Sequence, residues 1–107
     1  MNVFSGVDVA DGQPVSADLI PAAVTAGPFV YQDGATQVFD ASGATTYVEG
    51  GVETHGEWSV DDGRFCSFWP PNYRACYDLH WMVEAGAIVG LRFTSLRDGT
   101  GFDGRYR

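Results

Sequence analysis

The sequence predicts an all-β domain: an up-and-down antiparallel meander of about eight short strands closing into a barrel or a strongly curled sheet, preceded by one short helix. Three observations carry this. From Pro28 onward, turn signals recur every eight to twelve residues, with short runs rich in β-branched and aromatic residues between them. None of the connections is long enough for a crossover helix, so consecutive strands pair antiparallel. At 107 residues, 45% hydrophobic and 14% aromatic, the chain is one domain's worth and too apolar for disorder.

Residues 1–17 read as an irregular arm, polar and Gly- and Pro-containing from residue 5 onward. A short helix is expected over 18–26. Asp18 can cap it, and Pro21 falls in the first turn, where a missing N–H costs little. Leu19, Ile20 and Val24 give it an apolar side, and Gly27-Pro28 ends it. Residues 28–107 form the barrel, with candidate strands at 28–32, 36–40, 44–49, 52–60, 64–69, 74–82, 87–94 and 102–106. The turns between them are Asp33-Gly34, Ser42-Gly43, Gly50-Gly51, Asp62-Gly63, Pro70-Pro71-Asn72, Ala85-Gly86 and Asp98-Gly99-Thr100-Gly101.

Two hairpins set the register. A two-residue Asp62-Gly63 turn puts Asp61 opposite Arg64, Val60 opposite Phe65 and Trp58 opposite Ser67. Opposed residues share a sheet face. One face then collects Val52, Thr54, Gly56, Trp58, Val60, Phe65 and Trp69, and reads as an interior. The other collects Glu53, His55, Glu57, Ser59, Cys66 and Phe68, and reads as a surface. The next hairpin, centred on Pro71, places Cys66 opposite Cys76, Phe65 opposite Tyr77 and Arg64 opposite Asp78. It adds Tyr77, Leu79 and Trp81 to the inside. Val89, Leu91, Phe93, Phe102 and Tyr106 follow inside by alternation, with Ile88 and Arg92 outside. For 36–49 the turn type is ambiguous, which leaves the direction of Phe39 open.

This register separates the groups that could carry catalysis. His55 and His80 share the outer face at opposite ends, on the order of 25 Å apart. That is too far for one metal ion, whose ligand bonds are about 2 Å. Cys66 lies on the order of 13 Å from His55, beyond the hydrogen-bond reach a Cys–His nucleophile needs. The cysteines lack the C-x-x-C spacing of redox motifs. Opposed on adjacent strands, they form either a structural bridge or a pair of quiet thiols facing water, with a redox-sensing pair a further reading. No phosphate loop, dinucleotide fingerprint, zinc-protease or serine-hydrolase motif is present. No catalytic residue, metal ligand or cofactor is therefore assigned. An enzyme is the least supported class.

Strand direction sorts the loops into two ends. The helix feeds the end holding turns 41–43, 61–63 and 83–86, and can plug it. The opposite end gathers turns 33–35, 50–51, 70–73 and 95–101. There Phe68-Trp69-Pro70-Pro71-Asn72-Tyr73-Arg74 makes an aromatic, proline-stiffened tip, with Arg97, Asp98 and Asp33 on the same rim. Small barrels fill their interior with side chains or hold one ligand. The leading expectation is a non-catalytic binding module for a small apolar or aromatic ligand, with Trp69 and Tyr73 stacking and Arg97 as polar anchor. The competing expectation is a structural or protein-interaction domain with a filled core, acting through Phe68, Trp69 and Tyr73 or through strand edges.

Charge narrows the partners. All six basic residues are Arg, against 14 Asp+Glu, a net charge of −8. That disfavours nucleic acid and anionic lipid surfaces, and no apolar run approaches a membrane span. Residues 1–63 hold ten acidic groups and no basic one, while residues 64–107 hold four acidic and six basic groups. The leading expectation is that the two halves neutralise each other across the sheet; the competing one is an acidic face for a basic partner. Met1-Asn2-Val3-Phe4 has no basic leader, and Asp8 and Asp11 interrupt any apolar stretch. This points to the cytoplasm, or to a periplasmic or secreted product if the N-terminus is truncated. The sequence does not define the oligomeric state.

The pattern Gly56-x-Trp58-x-Val60-x-x-Gly63-x-x-Cys66, followed by Cys76-Tyr77, resembles small uncharacterised bacterial proteins with a G-x-W…G-x-x-C…C-Y core. The likeness spans roughly residues 36–80. It implies a calycin-like, or lipocalin-like, β-barrel and a bridge between the two cysteines, and it brings no assigned activity. Lipocalins carry a G-x-W on their first strand, whereas Gly56-Glu57-Trp58 falls on the fourth strand here.

Overall fold

In the computed structural model, which describes residues 8–107, eight strands follow one another round a closed antiparallel barrel. They are β1 (Phe29–Tyr31), β2 (Thr36–Phe39), β3 (Ala44–Glu49), β4 (Val52–Asp61), β5 (Arg64–Trp69), β6 (Tyr73–Glu84), β7 (Ala87–Ser95) and β8 (Gly101–Tyr106). Closure comes from β1 pairing with β8, Phe29 against Tyr106 and Tyr31 against Gly104. It removes the free edges that an open sheet would present. Part of the expected arm, residues 1–7, lies outside the described residues.

The central register is the expected one. Asp62 and Gly63 adopt left-handed backbone, with φ of 53° and 79°, the conformation a two-residue hairpin turn needs. Asp61 pairs with Arg64, Val60 with Phe65, and Trp58 with Ser67. Across the next hairpin Phe65 meets Tyr77 and Cys66 meets Cys76.

Three elements depart from the sequence reading. The helix begins as a 3-10 turn, Ala17–Leu19, and becomes α-helical only over Ile20–Thr25, here α1. Asp18 lies inside that turn rather than capping it: the Ile20 N–H, which it would cap, donates to the Ala17 carbonyl, and Pro21 has no N–H. In β7 the register shifts opposite Met82 and Val83. Met82 pairs with Gly90 and Val83 with Ile88, so Val89 is skipped. Ile88 consequently packs against the core beside Val83, where simple alternation placed it outside. Finally, the arm is not wholly irregular. The Gly12 and Val15 N–H groups donate to the Trp81 and Leu79 carbonyls at 2.8 and 3.0 Å, and the Trp81 N–H donates to the Gln13 carbonyl at 2.9 Å. β5 pairs with β6 only as far as Tyr77, so the arm covers the stretch of β6 that outruns it.

The core occupies the helix end of the barrel. Ile20, Ala23 and Val24 of α1 are buried in one cluster with Leu79, Trp81 and Leu91. The Tyr106 hydroxyl donates to the Ala23 carbonyl at 2.6 Å and ties the plug to β8. Above the plug lies a layer of phenylalanines. Phe39, left undirected by the sequence, points in and meets Phe29 and Phe65 edge-on, with ring centroids 5.8 and 5.5 Å apart. Phe93 closes the layer 5.7 Å from both Phe29 and Phe65. Edge-to-face rings stabilise by roughly 0.5–1.5 kcal/mol per pair beyond burial.

The two halves of the chain neutralise each other only in small part. Four ion pairs form among the described residues, and only Arg74–Asp61 joins the halves. Arg64–Asp78, Arg92–Asp103 and Arg105–Glu84 all lie within residues 64–107. Basic residues meet nearby acids across adjacent strands, which leaves the strands up to β4 with a surplus of negative charge.

Candidate functional site

Beyond the phenylalanine layer the barrel is not filled. A cavity of about 400 Å³ opens at the end opposite α1. Its floor is Phe39, Phe65 and Phe93, the same rings that roof the core. Tyr31, Tyr47, Trp69 and Tyr77 form its walls, with Gln37, Thr54 and Ser67 between them. Gln32, Asp33, Phe102 and Asp103 stand at its mouth. Inward residues near the mouth keep their place on the inner face and yet meet solvent. Val52 is 66% exposed and Phe102 45%.

Gly56 seats one wall. A Cβ on Gly56 would lie 2.5 Å from Trp69 Cε3 and 2.7 Å from the Phe68 carbonyl oxygen. Only glycine lets the indole lie across β4 at this point. Trp69 Nε1 donates to Ser67 Oγ at 3.2 Å, and the ring meets Tyr47 edge-on at 6.4 Å.

Several polar groups of the wall are already hydrogen-bonded within the protein. The Tyr31 hydroxyl donates to Gln37 Oε1 at 2.6 Å, and Gln37 Nε2 donates to Thr45 Oγ1 at 2.9 Å. The Thr45 hydroxyl passes on to the Val38 carbonyl at 2.9 Å. The Tyr47 hydroxyl donates to Glu49 Oε1 at 3.1 Å. Burial, then the neighbouring Tyr47 and Tyr77 phenols and Asp33, pushes the Tyr31 phenol well above its ordinary range. Burial, then the bond to Glu49 and its charge, pushes Tyr47 up to about 12. Burial and the nearby Tyr73 raise Tyr77, against an opposing hydrogen bond from Ser67. These phenols are neutral around pH 7 and serve as hydrogen-bonding groups and ring faces.

Of the residues singled out from sequence, Trp69 lines the cavity. Tyr73 and Arg97 lie at the same end but engage each other, the guanidinium carbon 5.1 Å over the Tyr73 ring. Neither is among the cavity-lining residues. Cys66 and Cys76 form a disulfide on the outer face. They do not both face water as expected. Cys66 is 2% exposed, with Arg74 Nη2 3.5 Å from its sulfur. His55 is exposed and 3.3 Å from Thr46 Oγ1 through Nδ1, while His80 is half-buried where Pro14 bridges to β6. Among the described residues no cluster of three or more His, Cys, Asp and Glu is placed to hold a metal ion, and no helix is long and apolar enough to cross a membrane.

Tyr31, Gln37, Tyr47, Thr54 and Ser67 were not singled out as site residues. A signal existed for some of them. Reading Gly50-Gly51 as a two-residue turn puts Tyr47 opposite Thr54, the pairing observed. A serine on an inward face between Phe65 and Trp69 is too small to fill the space beside it. Comparison with protein-family models, curated proteins and solved structures gave no match to this chain.

Proposed function

We propose that the protein is a non-catalytic binding module that takes a small, largely apolar or aromatic ligand into the open end of its barrel. The carrying observation is the cavity of about 400 Å³, walled by aromatic rings and a few fixed polar groups. Its size and lining are those of small-molecule sites. Tyr31, Gln37, Tyr47 and Trp69 already spend hydrogen bonds within the protein, which limits the polar demand the wall makes on an apolar guest. Trp69 provides a stacking face, while Tyr73 and Arg97 border the mouth as a paired rim. The disulfide supports an oxidising compartment, against the cytoplasmic expectation.

The test is a titration with a neutral phenyl-naphthylamine dye, followed by fluorescence. Saturable one-to-one binding is expected. Ser67→Phe, which puts a ring into the cavity, should abolish it, and Trp69→Ala should weaken it about tenfold or more. Absence of saturable binding to the wild-type protein overturns the proposal. A second reading, a partner-protein surface, draws on the exposed Val52, Tyr73, Leu96 and Phe102. In that reading the cavity stays empty of dye.

A further inference from the structure

We infer that the ligand is an organic cation: an alkyl- or arylammonium whose charged head sits against the ring faces of Tyr31, Tyr47 and Trp69, with Asp33 at the rim. This deepens the proposed binding function and rests on it. Three independent features of the cavity converge.

The first is what the wall offers. A tyrosine hydroxyl and an indole each have one hydrogen to donate. Tyr31 donates its own to Gln37, Tyr47 to Glu49, and Trp69 to Ser67. These residues therefore turn only π faces and, for the tyrosines, oxygen lone pairs toward a guest. Both attract a cation and neither satisfies an anion. The second is the charge of the lining. Among the described residues its only carboxylates are Asp33 and Asp103, and no Arg or His lines it. Asp103 is neutralised by a two-pronged bond to Arg92, at 2.6 and 3.0 Å. Asp33 forms no ion pair among the described residues. One of its oxygens accepts the Ala35 N–H at 3.0 Å, and the other is left for a guest. Arg92 and Arg97 stand near this end, both outside the lining: Arg92 is held on Asp103, and Arg97 lies over Tyr73 and beside Asp98. The third is the field. Asp33 and Glu49 belong to the half of the chain that carries ten acidic groups and, among the described residues, makes a single ion pair, Asp61 with Arg74. That surplus favours approach of a cation and opposes an anion.

The experiment compares two probes of one shape, phenyltrimethylammonium and tert-butylbenzene, in which carbon replaces the charged nitrogen. Binding is measured on the intact protein by NMR titration at low and high salt. The ammonium should bind at least about fivefold more tightly. That preference should shrink at high salt as the rim charges are screened. Asp33→Asn keeps the oxygen that accepts the Ala35 N–H. It should weaken the ammonium about threefold or more while leaving the neutral probe unchanged. Equal or tighter binding of tert-butylbenzene overturns the cation assignment and leaves the binding function standing. Equal weakening of both probes by Asp33→Asn overturns the role given to that carboxylate. Binding of neither probe overturns the cavity reading itself, and this inference with it.

Discussion

Replacing Gly56 with Ala tests whether the mouth is built as described. Its sign separates two effects. Glycine within a strand costs roughly 0.5–1 kcal/mol relative to alanine, through the entropy of the unfolded chain. On that ground alone Gly56→Ala would stabilise the barrel. The new methyl would instead sit 2.5 Å from Trp69 Cε3, where ordinary contact begins at 3.4 Å, so the indole must retreat by 0.9 Å (3.4 − 2.5). The Phe68 carbonyl at 2.7 Å cannot swing away as a side chain can. Overpacking of this kind costs roughly 1–3 kcal/mol, which outweighs the entropic gain. Urea unfolding should show Gly56→Ala destabilised by about 1–2 kcal/mol. Gly101→Ala is the matched control, since a methyl there meets nothing within 4 Å. It should be neutral or slightly stabilising. In a Trp69→Ala background the Gly56→Ala cost should fall, leaving the part due to the Phe68 carbonyl. The displaced indole should also weaken dye binding. A Gly56→Ala protein as stable as Gly101→Ala, with an unchanged tryptophan spectrum, would refute the seat assigned to Trp69.

Three further outcomes follow from other parts of the barrel. The bridge closes a loop of sequence separation 10, so Cys66→Ala with Cys76→Ala should lower the unfolding free energy by about 2.7 kcal/mol on the chain-entropy estimate. Dye affinity should stay unchanged, because the sulfurs lie on the outer face; loss of binding would contradict that placement. Tyr31, Tyr77 and Tyr106 are all held above the ordinary phenol value of 10.0, with burial the leading cause. Above that value the unfolded chain loses protons that the fold keeps, so stability is full below about pH 10 and falls as pH rises toward the folded values. A urea midpoint that is flat from about pH 9 to about pH 11 would count against these burials. Val15→Ala, which thins the buried contact of the arm, should cost on the order of 1–2 kcal/mol and speed exchange of the Trp81 amide. Unchanged exchange would mean that the arm does not protect β6.

The strands and their pairing were legible because two physical signals agreed. Asp62-Gly63 fixes a hairpin by its backbone preference, and the alternation on either side of it sorts Trp58, Phe65, Tyr77 and Trp81 from Glu57, Cys66 and Asp78. Alternation failed at Val89 because a bulge adds a residue without any change of composition around it. The docking of Gly12 and Val15 on β6 was hidden for a different reason. The expected strands already made β6 longer than β5, but nothing in the composition of the arm marks it as the segment that covers the excess. The candidate site was legible only at its rim. Trp69 could be placed at the mouth from strand direction, whereas Tyr73 and Arg97 satisfy each other. The hydrogen bond from Tyr31 to Gln37 joins residues of separate strands, brought side by side only when β1 and β2 pair. Unfilled volume above Phe39 and Phe93 is a difference between side-chain sizes and barrel girth, which no periodicity records.

The claim that the open end of the barrel receives a small molecule is tested most directly by the three indole N–H signals of an NMR spectrum during titration with phenyltrimethylammonium or tert-butylbenzene. Trp69 lines the cavity, Trp58 donates its indole N–H to the Asp40 carbonyl at 2.8 Å, and Trp81 is 1% exposed within the core. The Trp69 signal should move and saturate while those of Trp58 and Trp81 stay in place. A titration that leaves Trp69 unmoved, or that drifts all three without saturation, would contradict a binding site at the mouth.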